Sequence, residues 1–196
     1  MTTGIKLLDK ILGGINAGEL IILGGRPGMG KSSLANEIAK NCGGFVLYLA
    51  LERLSKQSRE SIEIYPIQLE ECLSSIDDIR DYVTQQKEKV HLVIVDYFQL
   101  LDTAEPVKEL KQLAQELKVP IIALSQLKRS VERRKDKRPG SVNDLHHRHP
   151  DQAMFVDKVL LIYREGHYTT DESLSNHAEI IVKGNNDTLH GVASIH

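Results

Sequence analysis

The sequence predicts an α/β fold, with a mostly parallel central sheet flanked by helices. Three observations carry that reading. Short apolar runs recur at Leu20–Leu23, Phe45–Leu51, Val90–Val95 and Pro120–Leu124, as expected of strands buried on both faces. Segments with helical spacing of apolar residues lie between them, Val107–Lys118 being the clearest. The first run also feeds straight into G-x-x-x-x-G-K-S at Gly25–Ser32, and a helix-forming segment, Leu34–Lys40, follows. Strand, glycine loop and helix in that order are the context a P-loop requires.

The loop Gly25-Arg26-Pro27-Gly28-Met29-Gly30-Lys31-Ser32-Ser33 is therefore read as a nucleoside triphosphate site. Its glycines let the backbone curl with N–H groups pointing inward, a concavity suited to phosphate oxygens. The following helix adds its unpaired N–H groups and the positive end of its dipole. Lys31 is expected to reach the β- and γ-phosphates, and the Ser32 hydroxyl to ligate Mg²⁺. A glycine-rich turn that only happens to precede a lysine is the bland alternative, and both flanks weigh against it.

Composition sets the frame for partners. Of 196 residues 41% are hydrophobic and 27% charged, the balance of an ordinary folded domain, read here as one unit over residues 1–196. The formal net charge is −2, so contact with nucleic acid has to come from a local patch. Cys42 and Cys72 belong to no metal or redox spacing, which suits a reducing compartment. No apolar stretch is long enough to span a bilayer, and the start does not read as a signal sequence. The expected location is cytoplasmic, without membrane contact.

Along the chain, Thr3–Gly14 reads as one short helix, with Ile5, Leu8, Ile11 and Leu12 at helical spacing and Gly13-Gly14 ending it. The strand Phe45–Leu51 ends in Glu52, at the carboxyl edge where open parallel sheets bind ligands; a catalytic role is expected over that of a solvated residue. Ser61–Tyr65 alternates weakly, as a short edge strand would. Ser75-Ile76-Asp77-Asp78 resembles a capping box that opens a helix running to about Glu88. Val90–Asp96 has the pattern of a Walker B strand, its terminal carboxylate placed to hold Mg²⁺ through water. The strand Pro120–Ser125 brings Gln126 to the same edge. Lys31, Glu52, Asp96 and Gln126 thus converge as candidate catalytic residues.

Lys128–Arg138 is the one basic run, with seven Lys or Arg against Glu132 and Asp136, and it reads as a helix end opening into a mobile loop. Two readings stand side by side: a solvated surface, or a contact to a nucleic-acid backbone through Arg129, Arg133, Arg134, Lys135, Lys137 and Arg138. His146, His147 and His149 lack supporting Cys or carboxylate spacing and are read as loop residues. Strands at Lys158–Tyr163, Ala178–Lys183 and Val192–Ile195 close the chain.

Taken together, Thr3-Gly4, Leu8-Asp9, Gly13-Gly14, Gly18-Glu19-Leu20, Gly25–Ser32, Leu51-Glu52, Val95–Leu100, Ala123–Glu132, Asp136–Pro139, Asp144-Leu145 and Ile162–Glu165 resemble the ATPase domain of DnaB-type replicative helicases in the RecA/KaiC group. The resemblance runs in order through nearly the whole chain. It implies a RecA-like fold, hydrolysis of ATP with Mg²⁺, and a ring, hexameric by resemblance, that moves on single-stranded DNA beside other replication proteins. By the same resemblance Glu52 activates the attacking water, Asp96 supports Mg²⁺ and Gln126 senses the γ-phosphate.

The departures from the family are local. The family's N-terminal domain and linker helix have no counterpart, and the stretch from Glu52 to Asp96 is shorter than usual. The family's Lys-x-Arg, whose Arg reaches the next subunit's nucleotide, stands here as Lys183-Gly184-Asn185, leaving Lys183 as the candidate to act in trans. Its DNA loop after Asp144-Leu145 is replaced by His146-His147-Arg148-His149, in which Arg148 remains a candidate DNA contact. Two functions follow from this pattern. One is an ATP-dependent helicase or translocase domain, and the other is a stand-alone ATP-binding switch that regulates or binds a protein partner without unwinding DNA.

Overall fold

The computed structural model describes all residues except 53–55, 63–66, 72, 147–149, 175–176, 185–189 and 196. Among the described residues, eight strands form one sheet: β1 Leu20–Gly25, β2 Phe45–Ala50, β3 Ile67–Glu71, β4 Val90–Asp96, β5 Ile121–Gln126, β6 Lys158–Tyr163, β7 Ala178–Gly184 and β8 His190–Ile195. Their order across the sheet is β3-β2-β4-β5-β1-β6-β7-β8. β3, β2, β4, β5, β1 and β6 pair in parallel, and β7 and β8 extend the sheet antiparallel. The predicted α/β class with a mostly parallel sheet is the class observed.

The strand period of two separates the core into two layers. From β1, Leu20 and Ile22 face one layer and Ile21 and Leu23 the other. The first layer is closed by helices α4 (Ile76–Thr84) and α5 (Pro106–Leu117), with Ile79, Leu110 and Leu113 fully buried. The second is closed by α1 (Lys6–Leu12), α2 (Lys31–Asn41) and α3 (Lys56–Ile62), through Leu8, Ile38 and Ile62. All six residues of β1 are buried, which is why that strand reads as a continuous apolar run.

Local chemistry accounts for the helix ends. Ser75 caps α4, its Oγ accepting from the Asp78 amide at 3.3 Å. The helix stops at Thr84 rather than near Glu88. After Val83 there is no apolar side chain to bury until Val90, so the polar stretch between them has no reason to stay on the core face. The first helix is likewise shorter than expected, because Thr3 is buried and bonded through its amide and hydroxyl to the Asp9 carboxylate, at 2.6 and 2.8 Å.

One strand is corrected. Ser61 and Ile62, expected in an edge strand with Glu63–Tyr65, close α3 instead, while Glu63–Tyr65 fall outside the described residues. The edge strand is β3, which begins at Ile67, six residues after the expected start. The apparent alternation begins with Ile62, whose burial against the α2 layer is that of a terminal helix residue.

Parallel pairing places the carboxyl ends of β2, β4, β5 and β1 side by side along one edge, in that order. β5 lies between the strand that carries the glycine loop and the strand that ends in Asp96, with Gly25 and Gln126 directly opposed.

Candidate nucleotide site

The loop from Gly25 to Ser32 leaves β1 and turns into α2. Gly28 and Gly30 hold φ of 77° and 93°, a left-handed backbone that only glycine adopts without strain. Met29, 1% exposed, pegs the loop to the core between them. The eleven-residue α2 starts at Lys31 with no side chain capping it, so its first amides are left for a ligand.

Lys31 is enclosed by this loop and donates to the Arg26 carbonyl at 3.3 Å. Burial pulls its ammonium below the usual lysine value. Asp96 opposes that pull and the Arg26 charge reinforces it. Negative charge placed beside the ammonium, as a polyphosphate would place it, favours its charged form.

Ser32 and Asp96 meet on the floor of the site. The Ser32 hydroxyl donates to Asp96 Oδ2 at 2.8 Å, and the buried Tyr48 hydroxyl donates to the same oxygen at 2.6 Å. Burial, then the Asp96 charge, push the Tyr48 phenol well above its usual value, so it stays a donor. A nearly buried carboxylate beside a serine hydroxyl, at the start of a helix, is a donor set that fits Mg²⁺. Among the described residues no three His, Cys, Asp or Glu gather into a metal cluster, here or elsewhere.

Glu52 follows β2, exposed, with its Oε2 accepting from the Tyr97 hydroxyl at 2.7 Å. Burial and this bond push the Tyr97 phenol up to about 12, so near neutral pH it holds Glu52 in place as a donor. Gln126 ends β5, and its backbone carbonyl accepts from the His146 amide at 2.9 Å. The strands thus bring Lys31, Ser32, Glu52, Asp96 and Gln126 to one edge.

Other candidates lie elsewhere. Lys183 is in β7 opposite Val159, near the start of β6, at the far edge of the sheet from the glycine loop. Asn185, His147, Arg148 and His149 are outside the described residues.

The basic run is an ordered 3₁₀ turn, Arg129–Arg133, followed by a loop folded around Asp144. Asp144, 3% exposed, takes a two-pronged bond from Arg134, with one prong at 2.8 Å, and accepts from the Gly140 and Ser141 amides. Arg138 pairs with Glu179 and lies over the Tyr163 ring, while Lys137 lies over Tyr168. Arg129, Arg133 and Lys135 stay exposed. Arg26 crosses from the glycine loop to this turn, donating to the Leu127 carbonyl at 2.8 Å and to Glu132 at 3.1 Å.

The Asp144 bonds make a pH prediction. Burial opposes its ionisation, but Arg134 and the two amides prevail and hold its carboxyl below the usual aspartate value. Its stabilisation is complete above the unfolded-chain value of about 3.9 and is lost as pH falls through the lower folded value. Asp144→Asn should destabilise the chain at neutral pH by about 1–3 kcal/mol and shrink this acid-side loss. Urea midpoints for both proteins across the acid range check it.

A model of the DnaB-like helicase C-terminal domain family matches residues 1–62 and 50–195. The chain belongs to this family. The replicative DNA helicase DnaB of Buchnera aphidicola subsp. Baizongia pistaciae (strain Bp) is 30% identical over 234 residues, covering 93% of this chain and 50% of that protein. DnaB of Geobacillus stearothermophilus is 29% identical over 231 residues, covering 92% and 50%. The chain spans about half the length of the curated relatives it matches. Both alignments are longer than the chain's 196 residues, and the family match breaks into two pieces overlapping at 50–62. The relatives therefore carry material that this chain lacks, consistent with the short stretch after Glu52.

Solved structures agree on the fold. One of them, an ATPase domain, superposes with a TM-score of 0.84 at 25% identity, covering 98% of this chain and 86% of that one. A DnaB-like replicative helicase, described with its interactions with primase, gives 0.82 at 24% identity, covering 98% and 58%. The RadB recombinase, at 17% identity and 0.67 over 98% and 94%, shares the RecA-like fold alone.

Proposed function

We propose that the chain is an ATP-binding and ATP-hydrolysing DnaB-like domain of a helicase or translocase that acts on single-stranded DNA in DNA replication. In this reading it is a single RecA-like unit that works in the cytoplasm, without membrane contact, within a homo-oligomer, a hexameric ring by family likeness. Other replication proteins are candidate partners. The observation that carries the reading is the meeting of four adjacent strand ends, which supply Lys31 and Ser32, Glu52, Asp96 and Gln126 around a glycine loop.

Each residue has a part in that reaction. The loop amides and Lys31 hold the triphosphate. Glu52, held by Tyr97, orients the attacking water and accepts its proton. Gln126, between the glycine loop and Asp96, touches the γ-phosphate and so registers whether it is present. Ser32 and Asp96 would hold Mg²⁺, Asp96 through water, and the ion would supply positive charge to the phosphate oxygens.

For DNA, the exposed Arg129, Arg133 and Lys135 are the tract's available cations, while Arg134 and Arg138 support the loop itself. Replacing those three together by Gln should weaken binding to a single-stranded oligonucleotide. It should also flatten the salt dependence by about 0.7 in log–log slope for each phosphate no longer neutralised. In the triple variant, stimulation of ATP turnover by the same oligonucleotide should fall in parallel, relative to the wild type. If both proteins bind the oligonucleotide alike at every salt concentration, the tract is not the DNA contact. The second reading, an ATP-binding switch for a protein partner, draws on that internal use of Arg134, Lys137 and Arg138, and DNA-independent turnover would favour it.

A further inference from the structure

Tyr48 carries a hydroxyl that packing alone does not call for. The side chain is fully buried in the α2 layer, where phenylalanine would fill nearly the same volume. In the register of β2 and β4, Tyr48 lies opposite Ile94 and Ala50 opposite Asp96, so the phenol spans one pleat to reach the carboxylate. It donates to Asp96 Oδ2 at 2.6 Å, the oxygen that also accepts from Ser32 at 2.8 Å. Two donors on one oxygen fix the torsion of the carboxylate and leave its second oxygen as the acceptor for a cation or its water. Groups that hold a metal's ligands in this way tune metal affinity without touching the metal.

We propose that Tyr48 is a positioning residue of the nucleotide–metal site, fixing Asp96 together with Ser32 in the orientation that receives Mg²⁺ beside bound nucleotide. This deepens the ATP reading above and rests on it. It concerns binding before chemistry: the Tyr48 hydroxyl bonds Asp96, and its effect passes through that carboxylate. A tyrosine that merely fills the core and satisfies its own hydroxyl would influence folding stability alone.

Calorimetric titration with ADP separates the two roles, run first in EDTA and then as a Mn²⁺ titration at fixed ADP. Tyr48→Phe should bind ADP in EDTA as the wild type does, which also shows that the variant is folded. It should need about 10- to 100-fold more Mn²⁺ to reach the metal-enhanced affinity. Tyr48→Leu, which also removes the ring, should show a similar shift in Mn²⁺ requirement. In an Asp96→Asn background, adding Tyr48→Phe should change the Mn²⁺ requirement no further. Wild-type Mn²⁺ dependence in Tyr48→Phe overturns the inference, as does a shift in Tyr48→Leu alone, which would assign the effect to packing. Absence of ADP binding by the wild type in both conditions would overturn the ATP reading itself, an outcome distinct from either.

Discussion

Lys31→Ala is expected to leave the chain folded but with a greatly weakened hold on a nucleoside triphosphate. In the wild type the ammonium is enclosed by the glycine loop, with a carbonyl of that loop at 3.3 Å, and burial already disfavours its charge. A triphosphate would set full negative charge against it. A hydrogen bond between charged groups contributes about 1.5–3 kcal/mol, or roughly 10- to 150-fold in affinity. The loss at a site built around phosphate should sit at the top of that range, with turnover falling to background. Folding should hold or improve slightly, since the substitution removes a charge whose burial opposes its ionisation. Titration with ATP analogue and a thermal unfolding curve check both halves. Unchanged affinity in a folded variant would remove the glycine loop from the nucleotide site.

Glu52→Gln should separate binding from chemistry. The carboxylate stands just beyond β2, held by the Tyr97 hydroxyl at 2.7 Å, and the glutamine carbonyl can keep that bond. Shape and contact survive while basicity is lost. Nucleotide affinity should stay within about twofold of wild type, and single-turnover hydrolysis should slow by about 10²–10⁴-fold, the usual contribution of a positioned general base. Equal single-turnover rates would place the base elsewhere on the edge.

Much of this site is legible in the sequence because Glu52 and Asp96 each follow an apolar run directly, Gln126 follows one after Ser125, and Lys31 and Ser32 close the glycine loop. Glu52, Asp96 and Gln126 mark the carboxyl ends of strands buried on both faces, and parallel topology then brings those ends together. β3 is harder to read. It sits at the sheet edge, and its Gln68, Glu70 and Glu71 are half-buried, so its pattern competes with the neighbouring Ile62–Ile64 alternation.

Long-range polar pairs leave no local signal at all. Tyr48 lies within an apolar strand and reads as core, yet its hydroxyl bonds a residue 48 positions away. Arg26 reads as one more loop residue, although it ties the loop to Glu132, 106 positions on. The basic run shows the same effect in reverse. Seven cations suggest an open patch, whereas the fold supplies Asp144 to Arg134 and Glu179 to Arg138. Asp96 is visible as a strand end, but the pair of hydroxyls that hold it is not.

The most direct test of the central claim is single-turnover phosphate release, with the unmodified chain in excess over γ-labelled ATP and with Mg²⁺ present. The predicted result is release of labelled phosphate by the wild type, held at background by Lys31→Ala and slowed by Glu52→Gln. A folded wild-type chain that releases no more phosphate than Lys31→Ala, at concentrations where the ATP is bound, would contradict it.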